Sequence, residues 1–210
     1  MRRFRLAAAC ALGMAATSST AATIGFEGIL TPPTTLSLQT SIVSGGFSFA
    51  ATGAGAGSRV GVYNNANVCT APGCTVNGTA SFLIYDAATT YPMSATMTAL
   101  GGSRFALAGF DFAPLFAASV ASGTSLSVTG QTAGGGSVAQ SFLFQNGGSF
   151  VAATLGAGFG NLTSVTFSSD SFYAALDNIE VSAAVPLPAG AVLLGSALAL
   201  GGLATRKRRR

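Results

Sequence analysis

The chain has 210 residues, with ten Lys or Arg against six Asp or Glu and no His. Without His, Ser-His-Asp and Cys-His catalytic sets are excluded, together with zinc sites that need an imidazole. The formal charge of +4 sits at the ends; between them Arg59 and Arg104 face Glu27, Asp86, Asp111, Asp170, Asp177 and Glu180, a net of −4 that disfavours a nucleic-acid partner.

Residues 1–22 open with Arg2, Arg3 and Arg5, continue as an apolar run from Leu6 to Ala16, and close on Ser-Ser-Thr-Ala-Ala. This order predicts a secretory signal peptide cleaved after Ala22. A lipoprotein reading of Cys10 is disfavoured, because only four apolar residues separate it from Arg5.

Residues 23–184 suit one domain able to bury a core. They are rich in Gly, Ser, Thr, Ala and Phe and nearly empty of Lys, Glu and Arg, which favours strands over helices. Short alternating segments recur in chain order, at Leu36-Ser37-Leu38, Phe47-Ser48-Phe49, Val60-Gly61-Val62, Leu126-Ser127-Val128 and Val165-Thr166-Phe167. Longer strands are predicted over 80–85, 104–112, 138–144 and 172–181, for ten or eleven in all. Glycine clusters at 53–57, 101–102 and 134–136 supply turns, and Asn146-Gly147 is the strongest hairpin signal. The class predicted is all-β, an antiparallel β-sandwich.

Cys69 and Cys74 flank Thr-Ala-Pro-Gly, and in an oxidising compartment the Pro72-Gly73 turn brings their sulfurs together as a disulfide. Two cysteines without His cannot complete a tetrahedral metal set. The carboxylates Glu27, Asp111, Asp170 and Asp177 show no spacing that singles out a glycosidase pair, so a non-enzymatic protein is expected.

Asp177 shares strand parity with Ile179 and Val181, so if these face the core, Asp177 does too and needs a partner. One reading is a structural Ca²⁺ held by Glu27, Asp177 and backbone carbonyls. The other is a bulge at Leu176-Asp177-Asn178 that turns the acid to water, with Asn178 making the turn.

The last 26 residues, 185–210, read Val185-Pro186-Leu187-Pro188-Ala189, an apolar stretch, and Arg206-Lys207-Arg208-Arg209-Arg210. The uncharged stretch 185–205 is long enough as a helix to cross a bilayer once, and the cationic end resists translocation, so residues before Val185 are expected outside. This tail resembles the C-terminal sorting domain of the PEP-CTERM proteins in its VPLPA variant. Leu187 stands where the commoner Val-Pro-Glu-Pro motif has its acid. The resemblance implies bacterial export, recognition by an exosortase-type enzyme of the inner membrane, and release or transfer to the cell surface in a setting of exopolysaccharide and biofilm. More weakly, Phe26-Glu27-Gly28 and Phe172-Tyr173-Ala174-Ala175-Leu176-Asp177-Asn178-Ile179 resemble the ends of jelly-roll domains. The expected protein is an exported surface or extracellular-matrix component, with a Ca²⁺-stabilised carbohydrate-binding module as the alternative. The aromatic platform that a sugar-binding face normally uses is thin here, with no Trp and only Tyr63, Tyr85, Tyr91 and Tyr173 besides the Phe residues, which are expected mostly in the core.

Overall fold

The computed structural model describes residues 21–30, 36–53, 55, 57–64, 75, 77–86, 92–115, 123–145, 149–170 and 173–183. The leader as far as residue 20, Cys69, Cys74, Tyr91 and the whole tail, including Val185, Pro186, Leu187, Pro188, Ala189 and the basic cluster, lie outside the described residues. Among the described residues no helix is long and apolar enough to cross a membrane.

Alternation of apolar and small polar residues produces thirteen described strands: β1 (Ala21–Ile24), β2 (Leu36–Gln39), β3 (Ser41–Ser44), β4 (Phe47–Ala51), β5 (Ser58–Asn64), β6 (Ala80–Asp86), β7 (Met93–Ala99), β8 (Phe105–Pro114), β9 (Ser125–Thr132), β10 (Ser137–Leu143), β11 (Val151–Thr154), β12 (Leu162–Ser169) and β13 (Ala174–Ala183). The segments predicted from alternation are all strands. Four were not legible: β1, β3, β7 and β11. In β7 the inward positions are Met93, Ala95 and Met97, so the alternation is carried by residues with little β preference. β1 begins at Ala21, and a cut after Ala22 would leave only Thr23 and Ile24 of it, paired with Glu180 and Ile179.

The described strands pair antiparallel throughout and form one continuous sheet, nearly closed on itself as a barrel or sandwich. One half runs β2-β5-β6-β13-β8-β11, with β1 beside the later part of β13. The other runs β3-β4-β7-β12-β9-β10, and a single pair, Leu162 with Phe105, joins the two. Phenylalanine rings cross the space between the halves. Phe49 on β4 lies 5.1 Å from Phe82 on β6, Phe47 is 5.1 Å from Phe105 on β8, and Phe167 on β12 is 5.3 Å from Phe110 on β8. Phe26, just after β1, is fully buried and sits 5.4 Å from both Phe49 and Phe82. A buried Phe contributes roughly 1.5–3 kcal/mol through the area it removes from water, so this aromatic layer is the main cohesive element.

Turn chemistry separates hairpins from crossovers. Gly45 and Gly46 have φ of 55° and 84° and close the hairpin in which Ser44 pairs with Phe47, as a two-residue turn of positive φ requires. Asn146 and Gly147, where a hairpin was expected, lie outside the described residues, and the strands on either side of them do not pair with each other: β10 pairs with β9, whereas β11 pairs with β8. β10 thus belongs to one half of the sheet and β11 to the other. The seam between them is closed by a side chain. Gln140 on β10 donates from Nε2 to the Thr154 carbonyl at 3.0 Å and accepts the Gly156 N–H at 3.3 Å, as a strand neighbour would.

Candidate functional site

The site is built on a break in the alternation of β13. Ala174 and Leu176 face the main core, Ala175 faces a second apolar cluster with Tyr63, Leu83 and Leu115, and then Ile179 and Val181 face the main core. Inward parity changes from even to odd at Asn178, whose φ is 48°. Opposite it, β8 changes parity as well, from Phe105 and Leu107 to Phe110 and Phe112, and the register shifts where Glu180 meets Gly109. Asn adopts the left-handed region more readily than other side-chain-bearing residues, which makes it suitable for this bulge.

The bulge corrects the parity argument for Asp177. Its side chain does not share the direction of Ile179 and Val181; it points to the other face, with Ala175. Nor is it turned to water, since it is 0% exposed. The segment before β6 covers it: Thr75 is hydrogen-bonded to the Leu115 and Pro114 carbonyls, and residues 77–79 lie over the carboxylate. Asp177 Oδ2 accepts from Asn77 Nδ2 at 2.6 Å, from Thr79 Oγ1 at 2.8 Å and from Ser81 Oγ at 3.5 Å, while Oδ1 accepts the Asn178 N–H at 2.8 Å. These donors supply the partner that a buried carboxylate requires. Asn77-Gly78-Thr79, which reads as a glycosylation acceptor, here forms a turn in which Asn77 Oδ1 accepts from the Thr79 N–H and hydroxyl. Glu27 is exposed in the turn after β1. Among the described residues no group of three His, Cys, Asp or Glu side chains is placed to hold a metal ion.

Tyr63, 1% exposed, lies on the same face as Asp177, and its hydroxyl has no hydrogen-bond partner among the described residues. Burial, and then the nearby Asp177 charge, push its phenol well above the ordinary tyrosine range, and the Ser81 hydroxyl, near it but outside hydrogen-bond geometry, opposes the shift. Tyr85 and Tyr173 stack half-buried on each other at 5.0 Å, so of the expected aromatic positions these two present partly open rings and Tyr63 does not.

Next to Asp177, on the same face, lies an open groove of about 360 Å³. It crosses four strands. Thr23 on β1 pairs with Glu180 on β13, Glu180 with Gly109 on β8, and Gly109 with Thr154 on β11, so Gly109 forms the floor and the three side chains stand around it. A Cβ on Gly109 would lie 2.7 Å from the Ala153 carbonyl oxygen, which explains why this position carries no side chain. One step along, Asp111 accepts from Asn178 Nδ2 at 2.8 Å. The groove therefore offers two carboxylates, a carboxamide held by one of them, and two threonine hydroxyls, with no cation among its lining residues. Such a set accepts hydrogen bonds from a neutral, polyhydroxylated ligand. Of the other acids, Asp170 is taken up by the Ser125 N–H and hydroxyl, both at 3.1 Å. The groove was not legible as a site in the sequence: Asp111 was one of several acids, and Glu180 carried no motif. The signal that could have found it is the placement of Asn178 where the alternation of β13 breaks.

No protein family matches the chain, and no curated protein does. Among solved structures it is similar to the enzymatically active domain of bacteriophage CBA120 tailspike protein 4, at 16% identity over 66% of this chain and 19% of that one, with a TM-score of 0.36. It is also similar to the CBM22-1 and GH10 modules of Clostridium thermocellum endo-1,4-β-D-xylanase 10B complexed with xylohexaose, at 11% identity over 63% of this chain and 25% of that one, TM-score 0.38. A third similar structure is TmCBM61 in complex with β-1,4-galactotriose, at 9% identity over 63% of this chain and 86% of that one, TM-score 0.39. The chain thus spans about a fifth of the tailspike and a quarter of the xylanase chain.

Proposed function

We propose that this chain is an exported, non-enzymatic component of a bacterial surface or extracellular matrix, and that its β-sandwich holds a carbohydrate in the groove over Gly109. The observation that carries the ligand reading is the row Thr23, Glu180, Gly109, Thr154 with Asp111 and Asn178 beside it: fixed acceptors above a floor with no side chain. Sugar hydroxyls donate well to carboxylates, and a site without cations does not select a polyanion. Export rests on the Arg-rich leader and on the Val-Pro-Leu-Pro-Ala tail with its basic end, which resembles an exosortase substrate. In this reading the tail crosses the inner membrane in transit and the body is presented outside.

The test is a glycan array and an exopolysaccharide pull-down with the full chain. Specific retention is expected, falling by about tenfold in Asp111→Ala and in Glu180→Gln, as loss of a charged hydrogen bond of roughly 1.5–3 kcal/mol implies. A blank array removes the ligand and leaves a structural matrix component. Release of reducing ends from a bound polysaccharide, lost in Glu180→Gln, would instead make the groove an active site.

A further inference from the structure

The half of the sheet formed by β3, β4, β7, β12, β9 and β10 has an outer face unlike that of the groove. In β12 the inward residues are Val165 and Phe167, so Ser164, Thr166 and Ser168 point outward; in β9 Leu126 and Val128 are inward and Ser127 and Thr129 outward. Strand register then aligns hydroxyls in rows across the strands. One row runs Thr96, Thr166, Thr129 across β7, β12 and β9; the next runs Ser94, Ser168, Ser127, Ser141 across β7, β12, β9 and β10. The Thr96 and Thr166 hydroxyls are 2.8 Å apart, and those of Ser127 and Ser141 3.0 Å. No Asp, Glu, Lys or Arg occurs on any of these six strands, whereas β5, β6, β8 and β13 all carry charge.

A sequence of this length normally spends charges on an outer sheet face to keep it soluble and to blunt association. Here uncharged side chains take that role on one half: hydroxyls cover its central strands, repeated at the cross-strand interval of about 4.8 Å, and the exposed Val43 and Leu143 stand on the outermost strands β3 and β10. Each hydroxyl has one donor and two acceptor positions, so pairing within a row leaves further hydrogen-bonding capacity. We propose that this face adsorbs to an ordered solid of neutral polysaccharide, whose exposed hydroxyls repeat at regular intervals. Charge matching favours this occupant: a polyanion or polycation would give up its own hydration against a face that returns no opposite charge, while a neutral glycan surface loses little. Each contact is weak, and adsorption comes from many made together.

The inference builds on the carbohydrate reading but uses a different face, and the experiment separates the two. The full chain is incubated with microcrystalline β-1,4-glucan and the bound fraction measured against salt. Retention that is insensitive to salt is expected, with a fall of about tenfold in Thr166→Lys, which sets a cation in the middle of the face. Thr96→Val with Thr166→Val removes two hydroxyls with little change of shape, and a several-fold fall is expected with the melting temperature preserved. Asp111→Ala, which empties the groove reading, should leave adsorption to the solid in place. Unchanged adsorption in a folded Thr166→Lys or in the double Val variant overturns the proposal. So does loss of adsorption in Asp111→Ala, which would assign the solid to the groove, and so does adsorption to ice crystals without retention on the glucan.

Discussion

Asp177 and Asp111 stand directly opposite each other in the register of β13 and β8, and Asn178 donates to both, from its backbone N–H to Asp177 and from its carboxamide to Asp111. Two carboxylates facing each other across neighbouring strands repel. The bulge reduces that repulsion by placing donors between them, and it divides their surroundings, with Asp177 buried under residues 77–79 and Asp111 open to the groove. A single backbone irregularity thus makes both the structural acid and the candidate binding acid.

The bond from Asn77 to Asp177 ties together positions 100 residues apart. Asn77→Leu removes a donor from a buried carboxylate and should lower stability by about 2 kcal/mol in urea unfolding. Thr79→Val should cost less than this, because Asn77 and Ser81 still reach the same oxygen. Equal and negligible effects of both changes would show that the carboxylate is not held as described.

At Asn178 the backbone and side-chain roles can be separated. Asn178→Gly keeps the positive φ and should be nearly neutral for stability, whereas Asn178→Val should cost roughly 1–2 kcal/mol more than the Gly variant. Both lose the bond to Asp111, so both should weaken glycan retention to a similar extent. Comparing thermal melts with pull-down fractions for the pair reads out the two roles independently.

Tyr63 buries a hydroxyl that gains no partner among the described residues. Tyr63→Phe should therefore raise stability by about 1 kcal/mol at neutral pH. The sign at high pH follows from the raised pKa. The unfolded phenol ionises from about pH 10 while the folded one stays protonated. Stability is thus fully present below pH 10 and falls as pH rises toward the folded value, by about 1.4 kcal/mol per pH unit at most. Urea titrations of the wild-type chain and Tyr63→Phe between pH 9 and pH 11 should diverge in the direction of a flatter curve for the variant.

Gln140 closes the seam between β10 and β11 by standing in for a strand partner. Gln140→Glu puts a carboxylate oxygen where Nε2 donated to the Thr154 carbonyl, and should speed amide exchange at Gly156 and destabilise by about 1 kcal/mol. Exchange at the central strand β12 should be unaffected, since its hydrogen bonds do not involve this edge.

Processing of the tail is read by the mass of the mature C-terminus. A species ending near Pro188 or Ala189 is expected, and an intact Arg210 in the membrane fraction would point to a permanent anchor instead.

The fold class was legible because it depends on a local quantity. Segments such as Phe47-Ser48-Phe49 and Val165-Thr166-Phe167 alternate with period 2, and a strand with one buried face needs nothing more. Positions with weak β preference, such as Met93, Ala95 and Met97, hid β7, and the Asn146-Gly147 signal predicted a hairpin because a turn motif cannot reveal which strands its flanks will join. Asp177 shows the same limit: parity counted along the chain fails once a residue enters positive φ, and the tertiary structure decided its direction by covering it with residues 77–79. The hydroxyl rows likewise exist only through register, since Thr96, Thr129 and Thr166 are far apart in sequence and become neighbours through long-range pairing. Composition and alternation therefore determined that the body of this chain forms an antiparallel β-sheet with few helices. Only tertiary pairing decided which polar residues share a face, because strand register is set by the packing of side chains distant in the chain.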